Sequence, residues 1–416
     1  MSDKTEYNFT PFVALQGAQM LFVAFGALVL VPILTGLDPS VALFTAGIGT
    51  LIFQIVTKGK VPVFLASSFA FIAPIIFSVQ TWGLAATTGG LAAAGLVYVA
   101  ISFAIRAFGS DWLHRAFPPI VTGPVIMVIG LALAGVAVNM ATGVAGDNQI
   151  FPKGASLLLA TITLLAVLGA ALLGTGFMRI LSIFAGIAVG YIAALIIGPI
   201  LGVEFVSFAS VSEASWFAFP NFVAPSFELA AILFMLPVAI APSIEHFGDI
   251  MAISNVAKKD YLKEPGVKNT MLGDGLATFA AGLFGGPPNT TYSEVTGAVT
   301  LTKQFNPAIM TWAAIFAILM AFIGKLGGLL GTIPMPVMGG VMVLMFGMII
   351  SIGASTLAKV ENLTDPRNMA IASIILVIGV GGLTVDFGGG VVLGGIGLAG
   401  IVGVLANLLL PQSAED

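Results

Sequence analysis

Residues 285–294 read GGPPNTTYSE, a polar tract with two adjacent prolines inside a chain that is otherwise strongly apolar. Proline lacks a backbone N–H and disfavours a helical residue before it, so a regular helix does not run through this tract. At membrane depth, irregular backbone is stable only where it is buried in protein or lines a cavity. The tract therefore predicts an interrupted span with a short extended strand beside a cavity.

A second tract of this kind lies in the third apolar segment, where residues 62–74 read PVFLASSFAFIAP. Its mixture of β-branched, aromatic and serine residues is a poor helix start. Interrupted spans at equivalent positions of two halves are typical of a transporter binding site. We expect two short strands that meet near the midplane, each followed by a half-helix whose N-terminal amides face the site.

The composition indicates a membrane as the solvent. Of the 416 residues, 58% are hydrophobic and only 8% are charged, whereas soluble domains carry about 25% charged residues. Fourteen spans of about 20 residues each occupy most of the chain and leave no room for a large catalytic module. The chain has no cysteine, which excludes disulfides and thiolate metal sites. Its net charge of −4 argues against nucleic-acid binding.

Glycine, proline and charged residues divide the apolar sequence into fourteen segments, seven in each half of the chain. The predicted spans of the first half are 13–35, 39–57, 62–79, 84–107, 117–142, 155–174 and 179–201. Those of the second half are 227–254, 268–285, 290–303, 307–327, 333–355, 367–384 and 390–410.

Lysine and arginine are distributed unequally between alternate loops. With the N-terminus inside, only Lys153 and Lys325 of the 15 basic residues fall on the outer side. The basic residues on the inner side are Lys4, Lys58, Lys60, Arg106, Arg115, Arg179, Lys258, Lys259, Lys263, Lys268, Lys303, Lys359 and Arg367. Because cytoplasmic loops are enriched in basic residues, this asymmetry supports an even number of spans and cytoplasmic termini.

The two halves also share a glycine pattern. The spacing of Pro119, Gly123 and Gly130 in the fifth span equals that of Pro336, Gly340 and Gly347 in the twelfth. The tripeptide 185–187 in the seventh span recurs as 399–401 in the fourteenth. An odd number of spans per repeat inverts the second copy. The predicted fold is thus an all-α polytopic membrane protein of 14 transmembrane segments, two inverted seven-span repeats, with short strands in spans 3 and 10.

Five ionisable residues lie inside the predicted spans: Glu245, His246 and Asp249 in the eighth, Asp274 in the ninth and Glu294 in the tenth. A carboxylate at mid-bilayer costs about 2.5–3.5 kcal/mol, so it is neutralised, paired or functional. Glu245 and Asp249 share a helix face, and two adjacent carboxylates tend to retain a proton. We expect functional roles for Glu245 and Glu294, and a capping or loop role for Asp274. For His246 we expect either a packing role or contact with a residue that itself binds the ligand.

At these residues the chain resembles the nucleobase/ascorbate transporter family over nearly its whole length. The tract 288–292 followed by Glu294 looks like the substrate strand of uracil-transporting members, and Glu294-x-x-Gly297-x4-Thr302-Lys303 resembles the family signature. The other stretches that carry the resemblance are 19–32, 58–74, 244–260 and 333–340.

The resemblance implies a substrate site, two domains and a homodimer. The residues that it places at the site are Glu245 and Glu294 through their carboxyl groups, Phe69 and Ser293 through backbone groups, and Tyr292 and Ala27 as lining. A core domain of spans 1–4 and 8–11 is implied at 8–112 and 227–327. A gate domain of spans 5–7 and 12–14 is implied at 113–203 and 328–410.

Three positions depart from the family pattern. Val295 stands where the signature usually has asparagine, and Met20 where the first span usually has histidine. Asp249 stands where uracil-transporting members have a second histidine, as in some purine-transporting relatives. The third departure leaves uracil and xanthine open as substrates.

The chemistry of a nucleobase suits acidic residues. Uracil presents alternating C=O and N–H groups, so its site needs an acceptor, which a carboxylate supplies, and a donor, which a carboxylic acid or a backbone N–H supplies. Glu245 is then the main carboxylate ligand, Asp249 its titrating neighbour and Glu294 the second ligand, and all three are expected to couple substrate to protons. No metal or cofactor beyond the proton is expected, although sodium stays open as the coupling ion.

Two rival functions differ in what they require. A sulphate or bicarbonate carrier with the same fourteen-span fold needs a positively charged site, formed by helix N-termini without nearby acids or supported by arginine. The interrupted spans of this chain have acidic residues near them and contain no arginine. An intramembrane hydrolase would need a motif such as His-Glu-x-x-His, which the chain lacks. A non-enzymatic nucleobase importer of the bacterial inner membrane is the predicted function.

Overall fold

The structure is a computed structural model that describes residues 5–109, 115–146, 148–386, 388 and 392–411. The side chains of Ala27, Phe177, Ile180, Ser293 and Glu294 lie outside this description. The described chain is predominantly helical, and its strands are two or three residues long. This agrees with the predicted all-α membrane class.

The helices of the first half follow one another along the chain with two short strand interruptions. They are α1 (Pro11–Thr35), α2 (Pro39–Val56), α3 (Ile72–Trp82), α4 (Leu84–Phe108), α5 (Pro119–Ala141), α6 (Lys153–Leu172), α7 (Phe177–Ile180), α8 (Ser182–Leu201) and α9 (Ala209–Glu213). The strands of this half are β1 (Leu65–Ser67), β2 (Val144–Ala145) and β3 (Asn148–Gln149).

The second half also consists of helices and short strands. Its helices are α10 (Leu229–Met235), α11 (Ile240–Ala257), α12 (Val267–Leu283), α13 (Ser293–Thr302), α14 (Ala308–Ala321), α15 (Gly324–Gly331), α16 (Met335–Leu357), α17 (Pro366–Val380) and α18 (Gly395–Leu409). Its strands are β4 (Asn289–Thr291), β5 (Thr384–Asp386) and β6 (Val392–Gly394).

Within the described residues, eight helical segments are long and apolar enough to cross a membrane. They are α1, α2, α4, α5, α6, α8, the continuous stretch Leu229–Ala257, and α16. Four shorter apolar helices accompany them, at Phe69–Trp82, Ala308–Ala321, Pro366–Val380 and Gly395–Leu409. The chain is therefore a multi-pass membrane protein.

Some helix ends differ from the predicted spans. The eleventh segment, predicted to run to residue 327, ends as α14 at Ala321, and α15 begins at Gly324. The thirteenth, predicted to run to residue 384, ends at Val380, because Gly382 adopts a left-handed backbone (φ 63°) that a helix does not accommodate. Residues 384–386 instead pair with 392–394 as an antiparallel hairpin. Hydropathy continues through both breaks, so the sequence pattern alone did not reveal them.

Close helix packing depends on glycine at a few positions. Helix α5 packs along α16, and α4 packs along α12. A Cβ atom added at Gly340 in α16 would lie 2.3 Å from the carbonyl oxygen of Ala160 in α6. A Cβ atom at Gly275 in α12 would lie 2.9 Å from the carbonyl oxygen of Gly95 in α4. Small residues thus let these backbones approach where lipid provides no hydrophobic driving force.

An ion pair between Lys60 and Glu264 joins two loops on the side assigned to the cytoplasm. The hydrogen bond from Lys60, followed by the Lys60 charge, holds the pKa of Glu264 below its ordinary value. A carboxyl group with a lowered folded-state pKa stabilises the fold above its unfolded-state pKa, and this contribution disappears as the pH falls through the lowered value. Because both side chains are solvated, the contribution is small and is screened by salt.

We therefore expect Glu264→Gln to lower the melting temperature slightly at neutral pH and low salt. The difference from the wild type should disappear in acid and in high salt, measured by thermal unfolding in detergent. Lys60→Gln should reproduce it, and a difference that persists in acid would contradict the ion-pair explanation.

Candidate functional site

The two predicted breaks meet as a buried antiparallel strand pair. In the register of β1 and β4, Leu65 faces Thr291, Ala66 faces Thr290 and Ser67 faces Asn289. All six residues are buried. Two further backbone bonds extend the ladder, from the Ser68 N–H to the Pro288 carbonyl (2.9 Å) and from the Tyr292 N–H to the Phe64 carbonyl (3.2 Å). The pairing satisfies backbone groups that lipid would leave unbonded.

Side chains from neighbouring helices hold the strands in place. The Asn289 Nδ2 donates to the Thr45 carbonyl of α2 (3.0 Å), and the Thr278 hydroxyl of α12 donates to the Asn289 carbonyl (2.8 Å). A Cβ atom at Gly49 would lie 2.1 Å from the Asn289 Nδ2, so only glycine permits this approach. The Ser67 hydroxyl donates to the Leu28 carbonyl of α1 (3.2 Å). The strand pair is therefore fixed by α1, α2 and α12 together.

Each strand leads directly into a helix, as expected for half-helices at a binding site. A single 3-10 turn, Phe69–Phe71, follows β1 and continues into α3, and α13 begins at Ser293 after β4. The first turn of a helix has backbone N–H groups without intrahelical partners. Both breaks therefore direct backbone donors towards the region where the strands meet.

The structure brings Phe69 and Tyr292 together across the strand pair. Their rings are stacked, with centroids 6.4 Å apart and planes 13° apart. The Tyr292 hydroxyl donates to the Ser67 carbonyl (2.8 Å), and Tyr292 is almost fully buried whereas Phe69 is half-buried. These two predicted site residues thus form one wall beside the half-helix starts.

Helix α11 supplies the acidic groups on the same side. Glu245 is half-buried, and Asp249 lies one turn further along and is buried. The Asp249 Oδ2 accepts a hydrogen bond of 2.6 Å from the Thr291 hydroxyl of β4. Thr291 is a site residue that the sequence reasoning did not single out, although it belongs to the polar tract. The sequence signal for Thr291 was its place as a polar residue in a predicted strand, where side chains alternate between the two faces.

Three predicted site residues are located only by their backbone. Ala27 belongs to α1, next to the Leu28 carbonyl that contacts β1, and Ser293 and Glu294 are the first two residues of α13. Their side chains lie outside the described part of the chain. Their backbone positions adjoin the strand pair, and their proposed roles as ligands stay predictions.

The expected capping or loop role of Asp274 is wrong. Asp274 is fully buried in α12, and its Oδ2 lies 2.8 Å from the Nδ1 of His246, which is also fully buried. The atoms are at ion-pair distance but are not aligned as a hydrogen bond. Gly275 packs against Gly95 of α4 and Gly273 packs against Phe53 of α2, so Asp274 is enclosed between helices and contacts α11 rather than the surface.

A phenylalanine at position 292 tests the wall of the site. We expect Tyr292→Phe to lower the free energy of unfolding by about 1 kcal/mol, because the Ser67 carbonyl loses a buried donor. Thermal unfolding in detergent measures the change. Tyr7→Phe is the matched control, since the Tyr7 hydroxyl bonds to Thr311 at an exposed position, and equal effects of the two changes would contradict the assignment.

The sequence profile labelled Xan_ur_permease, described as a permease family, matches residues 13–387. The chain belongs to this permease family. Its relatives include a probable uracil permease of Haemophilus influenzae, 52% identical over 96% of this chain and 94% of the relative. They also include the uracil permease of Bacillus caldolyticus, 42% identical over 96% of this chain and 92% of the relative.

Among solved structures, the transmembrane domain of the cyanobacterial bicarbonate transporter BicA is similar to this permease. The TM-score is 0.67 at 14% sequence identity, over 97% of this chain and 99% of that domain. At this identity the likeness concerns the fold alone. Membership of the family makes the chain a membrane transporter rather than an enzyme, and the two relatives are named as a probable uracil permease and a uracil permease.

Proposed function

We propose that this permease imports uracil by proton symport, with alternating access between a core and a gate domain. The observation that carries the proposal is the 52% identity, over nearly the whole length of both chains, to a probable uracil permease. The polar tract, the strand pair and the acidic helix face all lie within the matched region.

The geometry supports recognition of a nucleobase edge. Glu245 provides a carboxyl group, and the half-helices provide backbone N–H donors. Phe69 and Tyr292 provide aromatic surface against which a planar ring stacks. Ser293, Glu294 and Ala27 complete the proposed site from α13 and α1.

Proton coupling follows from the acids. An ionised carboxyl group supplies the acceptor that the substrate needs, and a protonated one supplies the donor. The substrate therefore binds best when the carboxyl groups of the site hold a particular number of protons, so substrate binding and proton binding are thermodynamically linked. We assign this linkage to Glu245, Asp249 and Glu294. The proton is the only coupling ion proposed, and no cofactor is required.

The proposed architecture is the fourteen-span, two-repeat plan with both termini in the cytoplasm of a bacterial inner membrane. The core comprises 8–112 and 227–327 and contains the strand pair, and the gate comprises 113–203 and 328–410. Movement of the core against the gate would expose the site to each side in turn. A homodimer is proposed as the assembly.

Xanthine or another purine is the second candidate substrate. Asp249 accepts a hydrogen bond from Thr291 through Oδ2, and its carboxyl group has a second oxygen that can act as an acceptor, whereas a neutral histidine has a single acceptor nitrogen. The acidic side chain of Asp249 would suit a nucleobase that presents one more N–H donor than uracil does.

Uptake of radiolabelled uracil into proteoliposomes tests the proposal. Accumulation driven by an outside-acid pH gradient, abolished by a protonophore and by excess unlabelled uracil, is the expected result. Xanthine uptake without uracil uptake would assign the purine alternative. Uptake driven by sodium without a pH gradient would reject the proton, and bicarbonate transport without nucleobase transport would indicate the anion carrier.

A further inference from the structure

The segment that joins the two halves of the chain carries an exposed aromatic face. This linking segment, residues 203–228, runs from the end of α8 to the start of α10 and contains the short helix α9. The side chains of Trp216, Phe217 and Phe219 are exposed by 78%, 67% and 74%. Large exposed apolar patches mark contacts with a protein, a ligand or a membrane. The aromatic face, defined by these three residues, therefore needs a partner.

The rings of the aromatic face rest on an aromatic base. Phe217 and Phe219 meet edge to face with their centroids 5.7 Å apart. Both contact the ring of Phe322, at 5.8 and 5.6 Å. Phe322 in turn meets Phe44 of α2 at 6.0 Å. The base holds Phe217 and Phe219 side by side while their other surfaces stay exposed.

Backbone hydrogen bonds fix the aromatic face to the turn between α14 and α15. The Gly324 N–H donates to the Trp216 carbonyl (3.2 Å), and the Ala218 N–H donates to the Phe322 carbonyl (3.0 Å). A Cβ atom at Gly324 would lie 2.4 Å from the Ser215 carbonyl oxygen, so this close approach depends on glycine. The aromatic face thus has a defined position on the protein.

Two further hydrogen bonds tie the linking segment to other helices of the proposed core. The Asn221 N–H donates to the Asp38 carboxylate at the start of α2 (3.3 Å), and the Ser226 N–H donates to the Ala85 carbonyl of α4 (2.9 Å). The turn between α14 and α15 also belongs to the proposed core. The aromatic face is therefore attached to the core and moves with it.

The backbone and the rings of the linking segment each exclude one environment. Outside α9 the segment is largely irregular, and irregular backbone exposed to lipid is not stable in the hydrocarbon region. Exposed tryptophan and phenylalanine rings are unfavourable in bulk water. The headgroup layer satisfies both, because it solvates backbone groups and accommodates aromatic rings.

The aromatic face is continuous with a surface that spans the membrane. Phe227 and Leu229 are exposed where the segment enters the apolar stretch Leu229–Ala257. Residues 214–227 contain no charged residue, so no buried charge would oppose their transfer to the membrane interface. Lipid is therefore the partner that the position and the composition of this face fit.

We propose that Trp216, Phe217 and Phe219 insert among the lipid headgroups of the outer leaflet and anchor the core domain at that level. The outer leaflet follows from the proposed architecture, in which residues 203–228 lie outside the cytoplasm. Interfacial segments bury their apolar face about 5–10 Å into the boundary between headgroups and acyl chains. The inference does not depend on which substrate the protein transports.

Fluorescence quenching by brominated lipids measures the depth of Trp216. The full chain has four tryptophans, and replacement of Trp82, Trp112 and Trp312 by phenylalanine leaves Trp216 alone. In phosphatidylcholine proteoliposomes, bromine close to the headgroups is expected to quench its fluorescence by about half or more. Bromine near the ends of the acyl chains should quench it less.

Asn148→Trp, in a chain whose four native tryptophans are phenylalanine, is the control. Asn148 is an exposed polar residue of β3, so a tryptophan there should be quenched by acrylamide in the water and not by brominated lipids. Acrylamide should quench Trp216 less than this control. If the chain with Trp216 alone does not fold, Trp216→Phe in the otherwise native chain should remove the component of emission that bromine near the headgroups quenches.

Three results would overturn the inference. Quenching of Trp216 by acrylamide as strong as in the control, without quenching by lipid, would place the aromatic face in water. Quenching by neither reagent would mean that a second copy of the chain or another protein covers it. Stronger quenching from the ends of the acyl chains would place it in the hydrocarbon region. Failure of the wild type to transport uracil would overturn the proposed function and leave the lipid contact standing.

Discussion

Glutamine in place of Glu245 is expected to lower uracil affinity by about 100-fold and to abolish uptake. A hydrogen bond to a charged group contributes about 1.5–3 kcal/mol, and the glutamine amide also presents N–H groups where the substrate presents its own. The loss is large because Glu245 is half-buried, so water does not replace the missing acceptor fully. Calorimetric titration of the purified protein measures the affinity.

Glu228→Gln is the matched control, since Glu228 is exposed just before the first helix of the same span. It should bind uracil as the wild type does. An unchanged melting temperature of Glu245→Gln would separate a binding defect from misfolding. Retention of wild-type affinity would remove Glu245 from the site, and Glu294→Gln in the same assay examines the second proposed ligand.

Alanine at Gly340 is expected to have the largest effect on stability. Its Cβ atom would lie 2.3 Å from the Ala160 carbonyl oxygen and 3.1 Å from the Thr163 Cβ, and a backbone carbonyl in a helix has little room to move. Overpacking of this kind costs about 1–3 kcal/mol. We expect a lower melting temperature in detergent and a reduced yield of folded protein.

Gly347→Ala provides the control on the same helix. No atom from outside the adjoining turns of α16 lies within 4 Å of the position that its Cβ would take, and alanine favours a helix more than glycine does. The melting temperature should be unchanged or slightly higher. If both changes destabilise equally, the contact between α16 and α6 does not explain the glycine.

This pair also shows how far a repeated pattern extends. Gly123 and Gly340 occupy matching positions in the sequence, and a Cβ atom added at either would lie less than 3 Å from backbone atoms of a neighbouring helix. A Cβ atom added at Gly130 would likewise lie 2.6 Å from the Phe346 carbonyl oxygen, whereas one added at its counterpart Gly347 would enter open space. The shared spacing therefore coincides with close packing at three of these four glycines.

Local features of the sequence determined the membrane class, the two breaks and the acidic face of the eighth span. They did so because hydropathy reports burial in lipid, proline and polar runs interrupt a helix wherever they occur, and helical spacing places Glu245 and Asp249 on one face. All of these features are local in the sequence and do not depend on which segments are neighbours in the folded protein.

The tertiary structure alone decided the partners of these residues. The hydrogen bond from Tyr292 to Ser67 joins positions 225 residues apart, and Asp249 meets Thr291 from another segment. The pairing of His246 with Asp274 depends on how α11 and α12 are rotated about their axes. For α12, the contact of Gly275 with Gly95 of α4 contributes to that orientation. Interhelical packing, unlike hydropathy, is the sum of many contacts between distant parts of the chain.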